Sequence, residues 1–383
     1  MKLKILAVPA FLGSILAMNP GVHAFSRNSL IVRKSTLGMS SEPSFLDSIP
    51  SIRNPFEKFA LQDSPQLSSP STSDPEVLVE YAKEVIASDL GIKNSKLLSE
   101  NFIWIGPTLE KPLGKIDYLA AGKFFNLRSA FPDLDYRAHD FRIDANDPYT
   151  VRCTSRPIGT MRGSLRLRNK VVEPNGQQWR GPPEAISITF DETGKVVKLC
   201  SGFAMDRLVG NTNGLCGVMA AATVAGAPPS DWEVYPLPTV ISRFFGRPVS
   251  PLEEVSTFLA PFPETVMIQL AKGILAANLA ADDPTLLSRD FTFYTPSIGP
   301  IGKTEFLENY AREEFGNCEP EFSHFRVDPY DPYRVWVDVK PVGPGLEGPP
   351  QAFSFTFDDD GFCTRLSAGA VMDPSIGKKF MPP

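Results

Sequence analysis

The apolar residues of this chain change from helical to alternating spacing, and they do so twice. After Pro75, a residue typical of the first turn of a helix, Val77, Tyr81 and Val85 recur at helical spacing. Gly91 follows them, and glycine commonly ends a helix at such a place. The pattern predicts an amphipathic helix at the start of a folded unit.

Beyond this helix the pattern predicts a short strand, a second helix and a run of longer strands. The second helix is expected to run from Lys115 to about Leu127, and beyond Pro132 the residues alternate as strands do. Sequences rich in Asp, Pro and Gly separate the strands and are typical of turns. The predicted strands cover residues 102–105, 141–144, 149–155, 185–190 and 196–203. This order indicates an α+β domain, a curved antiparallel sheet wrapped on N-terminal helices.

The same elements return later because two long motifs are repeated in the same order. Residues 141–151 match residues 325–335, and residues 181–191 match residues 348–358. Weaker matches extend the similarity in both directions. A unit of roughly 140–160 residues suits one globular domain and is too long for a solenoid repeat. We therefore predict a tandem duplication.

The repeat also sets the predicted domain boundaries. Copy one carries an insertion between Gly159 and Gly181, and an apolar run after copy one is expected to form a buried or docking helix of the connector. That run is too short to cross a membrane. The predicted segments are a signal peptide at 1–24, a transit-peptide-like segment at 25–49, domain 1 at 50–210, a connector at 211–237 and domain 2 at 238–383.

The first fifty or so residues have the composition of targeting segments. Lys2 and Lys4 precede a short apolar run that ends in small residues at Ala24. A basic, Ser-rich stretch without acids begins at Phe25 and continues up to Glu42. This arrangement resembles the bipartite plastid-targeting sequence of algae with secondary plastids, in which a Phe follows the cleavage site. It implies a stromal protein, and secretion is the alternative.

Charge and cysteine usage argue against nucleic-acid binding, a disulfide framework and a metal site. The chain has 42% hydrophobic residues and a net charge of −6, which disfavours nucleic-acid binding because phosphate neutralisation needs a basic surface. Its five cysteines form no C-x-x-C motif and do not align between the copies. We expect free thiols, with no disulfide framework, metal site or cofactor.

Several motifs together resemble the SnoaL-like branch of the nuclear-transport-factor-2-like superfamily, and both copies fit along most of their length. In copy one the motifs lie at residues 98–106, 112–115, 130–134, 194–196 and 205–208. The resemblance implies two tandem cone-shaped domains, each enclosing a pocket. The superfamily includes polyketide cyclases, ketosteroid isomerases, dehydratases and non-enzymatic binding modules, so the fold does not select a function.

The resemblance implies an acid–base Asp and a helper His inside the cone, but the sequence does not supply them in the expected places. His139 and His324 do not align with each other, so a histidine used in both copies is excluded. The late strands at 185–190 and 196–200 contain no acid. Both histidines are therefore weak catalytic candidates, and ordinary structural roles are the alternative.

Repeated aspartates are better explained by turns than by chemistry. Asp206 and Asp373 come at the end of the last strand of each copy, where a cap for the following turn is the favoured interpretation and a buried base the alternative. A repeated Asp-x-x-Asp-Pro-Tyr motif resembles a cation site, but Asp before Pro also starts turns. Its aspartates are Asp144, Asp147, Asp328 and Asp331.

The repeated strand at 185–190 and 352–357 has one large apolar face and one small, mildly polar face. The small face allows a second sheet to approach closely. We predict that the two copies pack sheet to sheet in cis, as an intramolecular pseudo-dimer. The large face carries Ile186, Ile188 and Phe190, and the small face carries Ala185, Ser187 and Thr189.

The insertion of copy one concentrates basic residues on an acidic protein. It carries Arg162, Arg166, Arg168, Lys170 and Arg180. A solvated strand extension is one interpretation. Docking of an anionic ligand, a lipid head group or an acidic partner is the other.

Two function classes stay open, and the sequence does not decide whether the protein is an enzyme. The favoured class is a non-catalytic binding or interaction module that contacts an apolar small molecule or another plastid protein. The alternative is an isomerase-like or cyclase-like enzyme acting on an apolar carbonyl compound in one cone. If a small molecule is bound, Trp104, Phe293 and Tyr294 are predicted near the mouth of the cone; in an interaction module without a ligand, one or both cones are filled by their own side chains.

Overall fold

A computed structural model describes most of both units. It covers residues 74–107, 109, 111–167, 170–228, 259–296, 298–311, 319–343 and 346–376. The predicted targeting segments, Arg168 and the boundary between connector and domain 2 lie outside these residues. Within them, no helix is both long and apolar enough to cross a membrane.

The first unit opens with helix α1 (Pro75–Ala87), whose start is capped by Asp74. The Asp74 carboxylate accepts a hydrogen bond from the Glu76 N–H at 3.0 Å, which satisfies one of the free donors of the first turn. The other helices are α2 (Lys115–Phe125) and α3 (Leu127–Ala130). The main strands are β1 (Leu98–Ile105), β2 (Leu113–Gly114), β3 (His139–Ile143), β4 (Thr150–Ser155), β9 (Glu184–Phe190) and β10 (Val196–Ala204).

The insertion of the first unit forms four short strands between β4 and β9. They are β5 (Ile158–Thr160), β6 (Leu165–Arg166), β7 (Val171–Val172) and β8 (Gln178–Arg180). They pair as two small antiparallel ribbons, β5 with β8 and β6 with β7. Helix α4 (Gly217–Val224), from the predicted connector, packs on them. The shared core of this region contains Phe131, Met161, Leu165, Trp179, Ala220, Ala221 and Val224.

The second unit repeats the element order of the first without the insertion. Its helices are α5 (Glu264–Ala276) and α6 (Lys303–Asn309). Its strands are β11 (Leu287–Tyr294), β12 (Ile301–Gly302), β13 (Glu319–Asp328), β14 (Asp331–Gly343), β15 (Leu346–Glu347), β16 (Gln351–Phe357) and β17 (Cys363–Val371).

The two large sheets have the same strand order. It is β2-β1-β10-β9-β4-β3 in the first unit and β12-β11-β17-β16-β14-β13 in the second, where β15 also pairs with β14. The predicted α+β class with two sheet bodies is confirmed. One pair in each sheet, β1 with β10 and β11 with β17, is parallel instead of antiparallel. The first strand of each unit is not joined to the last by a hairpin, so nothing requires those two to run in opposite directions.

Local details repeat as well. Three successive residues after the first helix of each unit have positive φ, and Asp89 in the first unit corresponds to Asn278 in the second. The Lys115 ammonium donates to the Leu98 carbonyl at 2.8 Å, and Lys303 donates to the Leu287 carbonyl at 2.6 Å. These contacts tie the start of α2 and of α6 to the first strand of the respective unit.

The predicted division of strand faces is found in both units. Ile186, Ile188 and Phe190 lie in the core between the sheet and the helices of the first unit. Their counterparts Phe353, Phe355 and Phe357 lie in the core of the second unit. The opposite, small faces of the two sheets approach each other. A buried cluster joins them, made of Ala185, Met205, Trp336, Ala352, Ala370 and Met372.

Candidate functional site

Asp206 caps a turn and also crosses to the other unit. Its Oδ1 accepts a hydrogen bond from the Leu208 N–H at 2.9 Å. Its Oδ2 lies 3.3 Å from a guanidinium nitrogen of Arg334 and 3.2 Å from one of Arg365. The Asp206 pKa is lowered: burial opposes the charged form, and the two arginines outweigh it. The carboxylate therefore neutralises buried cations between the sheets.

Asp373 occupies the matching position in the second unit. It also caps a turn in its own unit and pairs with a cation of the other unit. Its Oδ1 accepts from the Ser375 N–H at 2.9 Å, and its Oδ2 lies 3.2 Å from the Lys198 ammonium of the first unit. Ser187 and Cys200 also donate to it. The turn role expected from the sequence is present at both aspartates, and the ion pairs across the two sheets were not expected.

Both candidate histidines lie at the contact between the units. The His139 ring packs edge-to-face on Tyr330, with 5.1 Å between ring centroids. His324 Nδ1 lies 3.5 Å from Asp338, a carboxylate that also binds Arg142 of the first unit at 2.7 Å. Burial lowers the His324 pKa more than Asp338 raises it. These surroundings make both rings part of the interface network.

The Asp-x-x-Asp-Pro-Tyr motifs close turns in both copies. Asp144 accepts from the Asn146 N–H at 2.8 Å, and Asp328 accepts from the Tyr330 N–H at 2.8 Å. Each also bonds to the facing strand, Asp144 to Arg152 and Asp328 to the Trp336 indole N–H. In the parts of the chain that the structure covers, no group of three or more potential ligands is arranged to hold a metal ion.

The three aromatic residues predicted near a cone mouth have different surroundings. The Trp104 indole N–H donates to the Ser201 hydroxyl at 2.8 Å, and its ring packs on Tyr118 at 5.6 Å between centroids. Phe293 is fully buried between Phe306 and Tyr310. Tyr294 is buried as well. A ligand role for the three stays a prediction, and the polar contacts of Trp104 make it the strongest of them.

The basic residues of the insertion separate into exposed and partly covered positions. Arg166 and Lys170 are exposed, and Arg162 is exposed with its guanidinium 3.8 Å from Asp133. Arg180 is partly buried on β8. Their apolar neighbours point inward to the core with α4, so both the strand-extension interpretation and the docking interpretation are compatible with the fold.

A buried carboxyl that the sequence analysis did not single out lies at the start of β9. Glu184 precedes the alternating run, on the same side of the strand as Ile186 and Ile188, which is the side that faces the helices. Its Oε1 accepts a hydrogen bond from the Gly202 N–H at 2.6 Å. The Cys216 thiol, at the start of α4, donates to it as well. Burial outweighs both bonds and raises the Glu184 pKa to about 7.

Other polar groups lie on the helix side of the first sheet. The Tyr118 hydroxyl donates to the Leu90 carbonyl at 3.0 Å. Burial, with the nearby charges of Asp89 and Glu184, raises the Tyr136 pKa. Asp89 itself is paired with Arg128 at 2.6 Å. Glu184 and Tyr136 are thus close enough for the charge of one to act on the other.

The second unit replaces these groups with residues that do not ionise. Phe293 and Phe306 occupy the positions of Trp104 and Tyr118: each aligns with its counterpart in strand register and helix position. Gln351 occupies the position of Glu184. At this position of the sheet, the first unit therefore has a group that exchanges a proton near neutral pH, and the second unit has an amide that does not.

The arrangement in the first unit supports hydrogen bonding and proton transfer. A carboxyl with a pKa near 7 is a donor and an acceptor when protonated and a base when ionised. Trp104 is linked to the same stretch of β10, because its indole N–H donates to Ser201, the residue before Gly202. The sequence contained one usable signal for this residue, the difference between Gly-Pro-Pro-Glu in copy one and Gly-Pro-Pro-Gln in copy two.

No protein-family model and no curated protein matches this chain. Among solved structures, it is similar to a putative SnoaL-like polyketide cyclase from Jannaschia sp. CCS1, with 18% identity over 43% of this chain and 100% of that one, at a TM-score of 0.30. A steroid delta-isomerase from Pseudomonas aeruginosa is 15% identical over 42% and 93% of the two chains, at 0.24. A de novo designed NTF2 fold protein, NT-9, is 15% identical over 28% and 85%, at 0.21.

Proposed function

We propose that this protein is a plastid protein of two SnoaL-like domains that binds one apolar small molecule, in the first unit. The second unit acts as a scaffold. The observation that supports the proposal is the buried carboxyl of Glu184, on the helix side of its sheet, where the second unit has Gln351. A buried carboxyl without an ion pair is costly, and its retention in one copy points to a role specific to that copy.

The chemistry of these groups favours a ligand with one carbonyl on an apolar body. Protonated Glu184 has one O–H donor, and Trp104 and Tyr118 contribute ring surface to the core between the sheet and the helices of the same unit. A carbonyl oxygen accepts a hydrogen bond from that single donor. An anionic ligand would find no positively charged partner among these three residues. Below pH 7 the donor is present, and above it the carboxylate repels a carbonyl oxygen.

Binding of prodan, a fluorescent aromatic ketone, tests this proposal. We expect prodan to bind the full chain and to bind more weakly as the pH rises through about 7. Glu184→Gln keeps an N–H donor, so its binding should be independent of pH. Glu184→Leu removes the donor and should weaken binding roughly tenfold.

Gln351→Leu provides the matched control, because it removes the corresponding polar group from the second unit. We expect it to leave prodan affinity unchanged. Equal losses in Glu184→Leu and Gln351→Leu, or no loss in either, would contradict a single site in the first unit. Circular dichroism of each variant verifies that it is folded.

A second candidate function is isomerisation in the same place, and the pKa of Glu184 near 7 favours it. The ionised carboxylate would take a proton from the carbon between the carbonyl and the double bond of a β,γ-unsaturated ketone. The same proton returned to the γ carbon gives the conjugated isomer, so the step needs no other reactant. With 3-cyclohexenone as substrate, turnover should rise with pH through about 7 and be lost in Glu184→Gln.

The opposite pH dependences separate the two candidates. Binding of a ketone requires protonated Glu184 and decreases with pH, while proton abstraction requires the carboxylate and increases with pH. Absence of any 3-cyclohexenone conversion, together with prodan binding that falls with pH, leaves the binding function alone.

We also propose that the two units form an intramolecular pseudo-dimer in solution. Reciprocal ion pairs support it: Asp206 contacts Arg365 of the second unit, and Asp373 contacts Lys198 of the first. Small-angle scattering should give one compact particle. A profile of two separated bodies would contradict the proposal.

A further inference from the structure

The outer side of the insertion hairpin and the neighbouring face of α2 form an exposed surface that mixes apolar and basic side chains. We call it the hairpin patch, and define it by Ile116, Phe124, Arg166, Lys170 and Val171. Ile116 is 83% exposed, Val171 55% and Phe124 37%. Arg166 and Lys170 are also exposed. Exposed apolar side chains of this size beside cations mark an interaction surface.

The fold places these residues next to each other. The Arg166 guanidinium lies 5.9 Å from the centre of the Phe124 ring, which joins the hairpin to α2. Arg166 pairs with Val171 across the β6–β7 ribbon. Ile116 and Phe124 lie away from Tyr118, the residue that α2 buries, and are about two turns apart along the helix. The patch therefore spans two elements, which meet at Phe124 and Arg166.

The hairpin patch lies outside the apolar core that the buried residues of the insertion form with α4. Leu165 is fully buried and the next residue, Arg166, is exposed, because successive residues of a strand point to opposite sides. The inner side packs on α4. Packing of the connector therefore accounts for the buried residues of the insertion and leaves its exposed ones unexplained.

The described part of the second unit differs from the first at the positions that form this surface. It has no insertion, and Thr304 occupies the position of Ile116, directly after the lysine that starts the helix. The patch was therefore either gained by the first unit or lost from the second, independently of the shared fold. Thr304 also supplies a natural substitution for testing Ile116.

We propose that the hairpin patch binds the surface of an anionic membrane. Arg166 and Lys170 would contact phosphate head groups, which Arg and Lys bind through charge and hydrogen bonds. Ile116, Phe124 and Val171 would enter the interfacial layer, which receives single apolar side chains without a preformed pocket. The net charge of the whole chain is −6, so this attraction is local to the patch.

Co-sedimentation with vesicles tests the proposal. The full chain should sediment with phosphatidylglycerol vesicles, much less with phosphatidylcholine vesicles, and less at high salt because exposed charges are screened. The double variant Arg166→Ser, Lys170→Ser should lower the affinity about thirtyfold, at the ordinary contribution of a basic residue near an anionic surface. Ile116→Thr should lower it severalfold while preserving the charge.

The matched control is Lys96→Ser, Lys195→Ser, which removes two exposed lysines from other loops and changes the net charge equally. It should leave vesicle binding unchanged. Hydrogen exchange shows where on the chain the vesicles bind. It therefore distinguishes binding at the patch from binding through the apolar and basic residues 1–49. Backbone amides of residues 115–125, 165–167 and 170–172 should be protected by phosphatidylglycerol vesicles and not by phosphatidylcholine vesicles.

Two outcomes would overturn the proposal. One is vesicle binding that the double variant and its control reduce equally, without protection at the patch. The other is tight binding of poly-glutamate that Ile116→Thr does not weaken, since this would assign the patch to an acidic polypeptide and not to a membrane.

Discussion

The two units share one frame and differ in what they place between the sheet and the helices. Tyr118 and Trp104 of the first unit donate hydrogen bonds there, to the Leu90 carbonyl and to Ser201. Phe306 and Phe293 take these positions in the second unit and pack on each other at 4.8 Å between ring centroids. The second interior is the more hydrophobic of the two, and the first retains polar groups that are hydrogen-bonded.

This difference separates residues that specify the fold from those available for chemistry. Turn aspartates, strand faces and the lysine at the start of the second helix recur in both units because each unit needs them to fold. Glu184 has no charged counterpart, although its neighbours in the strand are repeated. A group that only one copy has is not needed for the shared fold. Such a group is therefore the better candidate for a functional role.

The largest expected effect concerns the contact between the units. Asp206→Asn removes the negative charge beside Arg334 and Arg365, which are both almost fully buried. Arg334 keeps Asp331 at 3.1 Å, whereas Arg365 loses its ion pair with Asp206. We expect a loss of about 3–5 kcal/mol in the free energy of unfolding, measured by urea denaturation. Asp373→Asn should cost less, about 2 kcal/mol, because its partner Lys198 is partly open to solvent. Equal costs would show that the two pairs are equivalent.

The next effect concerns Glu184 and depends on pH. A carboxyl with a raised pKa keeps its proton in the folded state when the unfolded state has lost it, so its contribution to stability is complete below about pH 4.5 and is lost as the pH rises to about 7. The loss amounts to about 3 kcal/mol. Glu184→Gln has no proton to lose. The stability of Glu184→Gln relative to the unaltered protein should therefore rise by most of that amount between pH 5 and pH 8.

The measurement is urea denaturation of both proteins across that pH range. Gln351→Glu is the companion variant, since it places the same carboxyl in the second unit and should create a similar loss of stability with rising pH. A difference between Glu184→Gln and the unaltered protein that stays constant with pH would contradict the raised pKa.

The fold was largely predictable because its signals are local. Pro75 and Gly91 lie within a few residues of the ends of α1, and the alternating residues at 185–190 predicted both strand faces correctly. The same alternation identified the small faces through which the two sheets meet. Such signals depend on the periodicity of single elements, which a sequence shows directly.

The candidate site was largely missed because its residues are brought together by tertiary structure. Glu184 follows two prolines, before the alternating run, and only the pairing of β9 with β10 shows that its side chain meets Gly202. The partners of Asp206 lie in the other unit. The sequence suggested a cap because nothing in the neighbouring residues indicated buried cations from a different sheet.

Exchange of one hydroxyl between the units tests how differently their interiors treat polar groups. Phe306→Tyr adds a hydroxyl to a fully buried ring packed among aromatic side chains. We expect it to lower the free energy of unfolding by about 2 kcal/mol, because an atom added to a fully buried aromatic cluster forces its neighbours to shift. The reverse exchange, Tyr118→Phe, should cost about 1 kcal/mol, the hydrogen bond to Leu90. Thermal or urea unfolding of both variants decides whether the second interior is the less tolerant.

The smallest effect concerns the first helix of each unit. Asp74 caps α1 through the Glu76 N–H, whereas α5 begins after Pro263 without a side-chain cap. Asp74→Ala should therefore lower the stability of the first unit by about 1 kcal/mol, and Asp74→Asn, which also caps well, by much less. Hydrogen exchange of residues 76–79 should become faster in the alanine variant only. Unchanged exchange there would mean that packing against the sheet holds α1 without its cap, and that the two units do not differ at this position in any way that affects stability.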